Sequence, residues 1–332
     1  MKVIGLSAIG LIGGIAVGIF GLMPFVGSKI PTDSTMNRVV AQRPVIPVEP
    51  ESTSEHGLIP AGDAAVVDGV EAGRTPDRQG TDVPRSEGSA RGGATVESNL
   101  RFKVELLDRG MESFQSVTDY TAKMQKRELV HGELLDAQTM ALKIRHKPFS
   151  VYLVWLEGDV GREVIYVDGA NNGKMIAHDG GWKARIPAFS LTPDGTLAMH
   201  DARYPVTSAG LLGLIKVMVG IHREDLTLSN VAVCELDEHQ KFDGRPCYQF
   251  TTKYKSATES PIYRKSVTLI DHEWNVPLHS RHYEWPREGT EMPDEELDDA
   301  TLLESYSFTD VKLRCDLSDH DFDRTNPEYR FR

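Results

Sequence analysis

Imidazoles beside carboxylates are the first residues to weigh, because such a pair can shuttle protons as a general acid and base. His178-Asp179 and His200-Asp201 are neighbours of this kind, and His279 with His282 could join them. The chemistry would be hydrolysis, with His178 and Asp179 as the leading pair. A histidine at a strand end serves more often as a structural hydrogen-bonding group, so no residue is assigned a catalytic role.

The remaining chemical patterns fail residue by residue. Gly169 to Lys174 has the outline of a phosphate loop, but three residues separate its glycines and Met175 stands where Ser or Thr must meet magnesium. His272-Glu273 begins like a zinc-protease helix, yet Val276 takes the second ligand position and Pro277 forbids the helix. Asp319, Asp321 and Asp323 have calcium-loop spacing, but Arg324 replaces the glycine and Arg330 the bidentate glutamate. No G-x-S-x-G is present, and Cys234, Cys247 and Cys315 lack the paired spacing of a zinc site. Cys234 and Cys247 lie opposite each other if the loop between their strands centres near Gln240, and do not if it centres on Asp243-Gly244. No metal and no cofactor is expected. A net charge of −12 argues against nucleic acid, whose binders carry a basic excess.

The elements that would position these residues follow from periodicity. From Asp119 to Gly181 the chain reads as five short strands. Met140 to Lys147 alternates apolar and cationic residues, as do Tyr120, Ala122 and Met124 against Thr121, Lys123 and Gln125. Phe149 to Leu156 is apolar on both parities, which predicts a central strand covered on both faces. Arg162 to Val167 and Lys174 to His178 follow, joined by the turn residues Asp168 to Gly173. Ahead of them, Leu100, Val104, Leu107, Met111, Phe114 and Val117 fall at helical spacing, with Ser98 or Asn99 as cap. Val206 to His222 is apolar enough to be a helix buried in the core or lying over a cavity. Further strands follow to Leu313. Residues Glu288 to Asp299 hold seven acids and no base and read as a solvated loop.

Residues 1–98 are of another kind. Val3 to Gly27 is uncharged and mostly apolar, long enough for a bilayer span and too long for the core of a cleavable signal. We therefore expect residues 1–29 to be an uncleaved N-terminal transmembrane anchor, with a signal segment as the alternative, and the membrane as partner through this segment. From Pro31 to Ser98 there is no aromatic residue, while seven prolines and eight glycines are scattered among acids and arginines. That composition cannot offset its conformational entropy by burial, so residues 30–98 are expected to be a disordered linker. Residues 99–332 are left for one folded domain.

The blocks DYTAKMQKRE, KIRHKPFSVYLVWL, GREVIYVDGANNGKMIAHDGGW and RYPVTSAGLLGLI occur in order. Together they resemble an uncharacterised bacterial envelope domain family, a domain of unknown function of the DUF1571 type. That family is in turn similar to the lipoprotein-carrier fold of LolA and LolB. The resemblance implies an α+β fold in which a curved antiparallel sheet, or incomplete β-barrel, carries helices on its concave side. It also implies an envelope location outside the cytoplasm and non-enzymatic carriage of an apolar ligand such as a lipid or lipoprotein acyl chain. A scaffolding protein with a fully packed sheet, and a hydrolase, are the alternatives.

Two sets of residues carry these expectations. A hydrophobic pocket between sheet and helices is expected to be lined from Met124, Leu142, Val151, Leu153 and Trp155 on the strands, and Leu211, Leu214 and Met218 on the helix. On the other parity, Lys123, Arg127, Lys143, Arg145 and Lys147 are expected to gather on one solvent face, balanced by Glu128, Glu133 or the acidic loop Glu291 to Asp299, or docking against anionic lipid or an acidic partner.

Overall fold

Alternation becomes strand wherever it occurs, and the computed structural model describes residues 88–331. Helix α1 (Gly88–Gln115) leads into β1 (Asp119–Val130), β2 (Glu133–Leu134), β3 (Gln138–His146), β4 (Phe149–Glu157) and β5 (Glu163–Val167). Next come β6 (Met175–His178), β7 (Phe189–Leu191), α2 (Gly210–Leu228), β8 (Val231–Phe242) and β9 (Arg245–Tyr254). The chain ends through β10 (Lys265–Asp271), β11 (Pro277–Tyr283), α3 (Asp294–Ala300) and β12 (Leu302–Leu313). The strands form one curved, open sheet in the order β7-β6-β5-β4-β3-β1-β12-β11-β10-β9-β8, with β2 beside β1. Each pairing is antiparallel, and two meanders meet in mid-sheet where β1 pairs with β12.

The two long helices cover the concave face. In α1 the stripe Leu100, Val104, Leu107 and Phe114 is buried, and Phe102 meets the rings of Tyr248 and Phe250. The helix begins at Gly88, so residues 88–98, whose composition reads as the end of a linker, form its first turns. Asn99 therefore lies inside the helix and donates to the Cys234 carbonyl at 2.8 Å instead of capping. Helix α2 starts at Gly210 with φ +86°, where a Cβ would fall 2.3 Å from the Tyr120 hydroxyl. That close approach lets Tyr120 accept the Leu211 N–H at 2.8 Å and pins the helix to β1.

Three local expectations are settled by pairing. The β8–β9 turn centres on Asp243-Gly244, so Cys234 pairs with Thr252 and Cys247 with Gln240, and all three cysteines are free. Instead of one solvated loop, residues 288–299 run into α3, whose Asp298 binds Arg264 at 2.6 Å and Lys265 at 2.5 Å. Finally, β4 is covered on both faces, but its convex cover is the C-terminal tail: Phe322 and Phe331 pack on Tyr152 and Ile165, and Tyr329 stacks on Tyr152 at 3.9 Å.

The expected anchor and most of the expected linker lie outside the described residues. Among the described residues no helix is long and apolar enough to cross a membrane.

Candidate functional site

Protein interiors leave few voids larger than a water molecule, yet a cleft of about 140 Å³ opens between the concave face and the start of α2. Its sheet wall is Met124, Met140, Leu153, Trp155, Val164 and Met175. The opposite wall comes from α2 and the segment 193–209 before it, including Leu214, Val217 and Tyr204. Space remains because the helix offers Ala209, Gly210 and Gly213 here; a Cβ at Gly213 would strike the Ser208 carbonyl at 1.9 Å. A cavity of this size is comparable to one of about 150 Å³ that admits benzene.

Of the expected lining residues, Met124, Leu153, Trp155 and Leu214 border the cleft. Leu142, Val151, Leu211 and Met218 do not: they are at most 2 % exposed and pack in the closed core. The reason is the contact at Gly210, which brings α2 onto β1 and β3 and leaves no gap at that end.

One end of the cleft is polar. Lys126 and Glu128 continue the core-facing parity of Met124 on β1, and Glu304 and Tyr306 occupy the same face of β12. Register sets Glu128 opposite Glu304 and Glu304 opposite His282, so two acids and an imidazole stand in line across three strands. Tyr306 and Lys126 donate to the Glu128 carboxylate at 2.5 and 2.8 Å. Glu304 accepts from Arg203 at 2.8 Å and lies 2.9 Å from His282 Nδ1. Burial pushes the Glu304 carboxyl up, but His282 and Arg203 outweigh it and hold the group below the usual range. Burial, then the two carboxylates, drive the Tyr306 phenol well above its ordinary value, so it stays a donor. At the rim, Arg162 stacks over Trp155 at 4.9 Å and binds Asp201 at 2.5 Å.

The histidines chosen for chemistry are placed apart. His178 lies on the convex side, its ring 6.3 Å from Phe331 and its Nε2 3.2 Å from the Ala184 carbonyl. His200 faces His131 at 6.1 Å, while His279 bonds Ser307 at 2.7 Å. Only His282 and Asp201 reach the cleft, and they come from different pairs. Lys126, Glu128, Arg162 and Glu304 were missed as site residues, although a charge in the apolar phase of a strand was a visible signal for the first two.

The expected basic face is neutralised. Lys123 pairs with Asp310, Lys143 with Asp321 and Arg145 with Asp319, each at 2.7 Å. Arg145 also lies over the Phe322 ring at 4.9 Å. Arg127 turns to the Leu135 carbonyl at 3.3 Å, and Lys147 is exposed in the β3–β4 turn. The balancing acids come from β12 and the tail, not from residues 288–299, because the tail folds back over this face.

Several solved structures resemble the fold at low similarity. A DUF1329 family protein from Desulfovibrio piger is 12 % identical over 68 % of this chain and 97 % of its own, with a TM-score of 0.33. The Mycobacterium tuberculosis lipoprotein LppX is 9 % identical over 67 % of this chain and 99 % of its own, at 0.38. The Pseudomonas aeruginosa MucA/MucB complex gives 13 % identity over 67 % of this chain and 60 % of the matched chain, also at 0.38. No curated protein sequence matches. The model of one family, described as a protein of unknown function (DUF1571), matches residues 117–331, and the chain belongs to that family.

Proposed function

We propose that this domain binds the hydrocarbon part of a single-chain amphiphile in the cleft between β1, β3–β6 and α2, without performing chemistry on it. The observation that carries the reading is an unfilled, largely apolar space of about 140 Å³ beside a polar rim. Ligand sites are commonly apolar clefts with a few placed polar groups. The volume suits part of one chain rather than several chains at once. Carriage of an acyl chain is also what the sequence resemblance implies. The uncharged run Val3 to Gly27 supports anchoring to a membrane, and the sequence resemblance implies a domain outside the cytoplasm.

The test is saturable fluorescence enhancement of the neutral probe N-phenyl-1-naphthylamine by the full chain, alongside mass spectrometry of lipids extracted with it. One-to-one binding that Leu214→Trp removes is the expected result. A protein that neither binds the probe nor carries lipid would leave the scaffold reading in place.

A further inference from the structure

The rim of the cleft sets two largely buried cations beside its apolar wall. Lys126 and Arg162 border the apolar wall with side chains only 12 % and 16 % exposed. Both are drawn to one residue, Asp201, which belongs to the segment before α2 and not to the sheet. Arg162 Nη1 binds its carboxylate at 2.5 Å, and Lys126 Nζ donates to its carbonyl oxygen at 3.1 Å. Asp201 is the most exposed member, at 29 %. Arg162 Nε is buried and has no hydrogen-bond partner. A buried guanidinium N–H without an acceptor is costly unless something supplies one.

The other acids at this rim already have partners, Glu128 in Lys126 at 2.8 Å and Asp159 in Arg162 at 3.4 Å. Glu128 is 3 % exposed and accepts from Tyr306, and Glu304 is 1 % exposed and bound by Arg203. Arg203 also donates to the Leu129 carbonyl at 3.1 Å, which holds this segment beside β1, and the Asp201 carboxylate meets solvent on its outer side. With that carboxylate turned away, Arg162 keeps only its longer contact to the exposed Asp159 at 3.4 Å, and Lys126 keeps Glu128, at the mouth of an apolar cleft.

We propose that Asp201 stands in for the head of the ligand, and that the cleft takes a single-chain anionic amphiphile of the fatty-carboxylate class. The carboxylate head exchanges with that of Asp201 at Arg162 and Lys126, and the chain lies along Trp155, Leu153 and Val164. A planar guanidinium pairs with a carboxylate through two parallel hydrogen bonds, and Arg162 has donors for this once Asp201 leaves. Charge-assisted bonds of this kind are worth tenfold or more in affinity. This inference rests on the proposed apolar-ligand function.

The experiment displaces N-phenyl-1-naphthylamine from the full chain with tetradecanoate, tetradecanol and methyl tetradecanoate, so that only the head differs. Tetradecanoate is expected to bind about tenfold more tightly than the two neutral ligands. Arg162→Gln with Lys126→Met should erase that preference, read as the ratio of tetradecanoate to tetradecanol affinity within the variant. Asp201→Asn should strengthen tetradecanoate binding severalfold and leave tetradecanol unchanged, because it removes the competing charge and keeps the shape. Equal affinity for acid and alcohol, or a weaker tetradecanoate complex in Asp201→Asn, overturns the head-group assignment while probe binding keeps the cleft. Loss of probe binding in the unaltered protein overturns both. Should the double variant not fold, the Asp201→Asn comparison decides alone.

Discussion

Strands β4 and β5 are apolar on both faces, and the two faces are finished differently. On the convex side the chain closes itself: Tyr152 and Ile165 lie under Phe322, Tyr329 and Phe331, and Lys143 and Arg145 tie the tail down through Asp321 and Asp319. On the concave side Leu153, Trp155 and Val164 face a cleft bordered by Ala209 and by Gly210 and Gly213 of α2. Equal hydrophobicity thus gives a seal in one case and an opening in the other. Sealing requires bulky partners, and the helix start cannot supply them where its backbone must approach β1.

The largest effect should come from breaking the seal. Phe322→Ala removes a side chain that is 5 % exposed and is expected to cost about 4 kcal/mol in urea denaturation. Affinity for the neutral probe should stay unchanged in the folded protein. A parallel loss of probe affinity would show that the two faces are not independent.

Acid should separate the faces next. His222, 1 % exposed on the inward side of α2, has its pKa lowered to about 4 by burial first and by Lys103 second. Because the folded pKa lies below the unfolded value of 6.5, the unfolded chain takes up the proton first. Stability is therefore full above pH 6.5 and falls by about 3 kcal/mol as the pH approaches 4. On the convex side, burial raises the Asp321 carboxyl, but Lys143 and the Ser318 backbone outweigh it and leave it lowered. Its contribution is present above the unfolded value of 3.8 and lost only at lower pH. Urea midpoints between pH 7 and pH 4.5 should thus decline through His222 on the concave side and through His279, whose pKa burial and Arg281 also lower to about 4, and His222→Gln should remove the concave share of the decline.

A smaller change sharpens the contrast from the other direction. Leu214→Trp fills the cleft and should weaken the neutral probe at least tenfold, about 1.4 kcal/mol, with little change in stability. An unchanged probe affinity would place the bound chain somewhere else. Least of all, Lys143→Met should cost at most about 1 kcal/mol, because its ion pair with Asp321 is roughly a quarter exposed on each side. High salt should narrow the difference between Lys143→Met and the parent.

Local pattern by itself determined most of the elements. Alternation placed β1 and β3, turn residues bounded β5 and β6, helical spacing placed the buried stripe of α1, and double-sided hydrophobicity marked β4 as covered on both faces. Those properties depend on neighbours in the chain, whose spacing the sequence displays. Only the tertiary structure decided what covered β4, which cations were neutralised and which acids met. Parity says that Glu128 and Glu304 face the core, but not that β1 pairs with β12 and sets them side by side. Likewise the tail that binds Lys143 lies 178 residues further along the chain. The cleft itself arises from one close approach, Gly210 against Tyr120, which separates Leu142 and Val151 in the core from Leu153 and Trp155 at the opening. A strand's period fixes which way a side chain points, whereas what it meets there is fixed by packing between segments far apart in sequence.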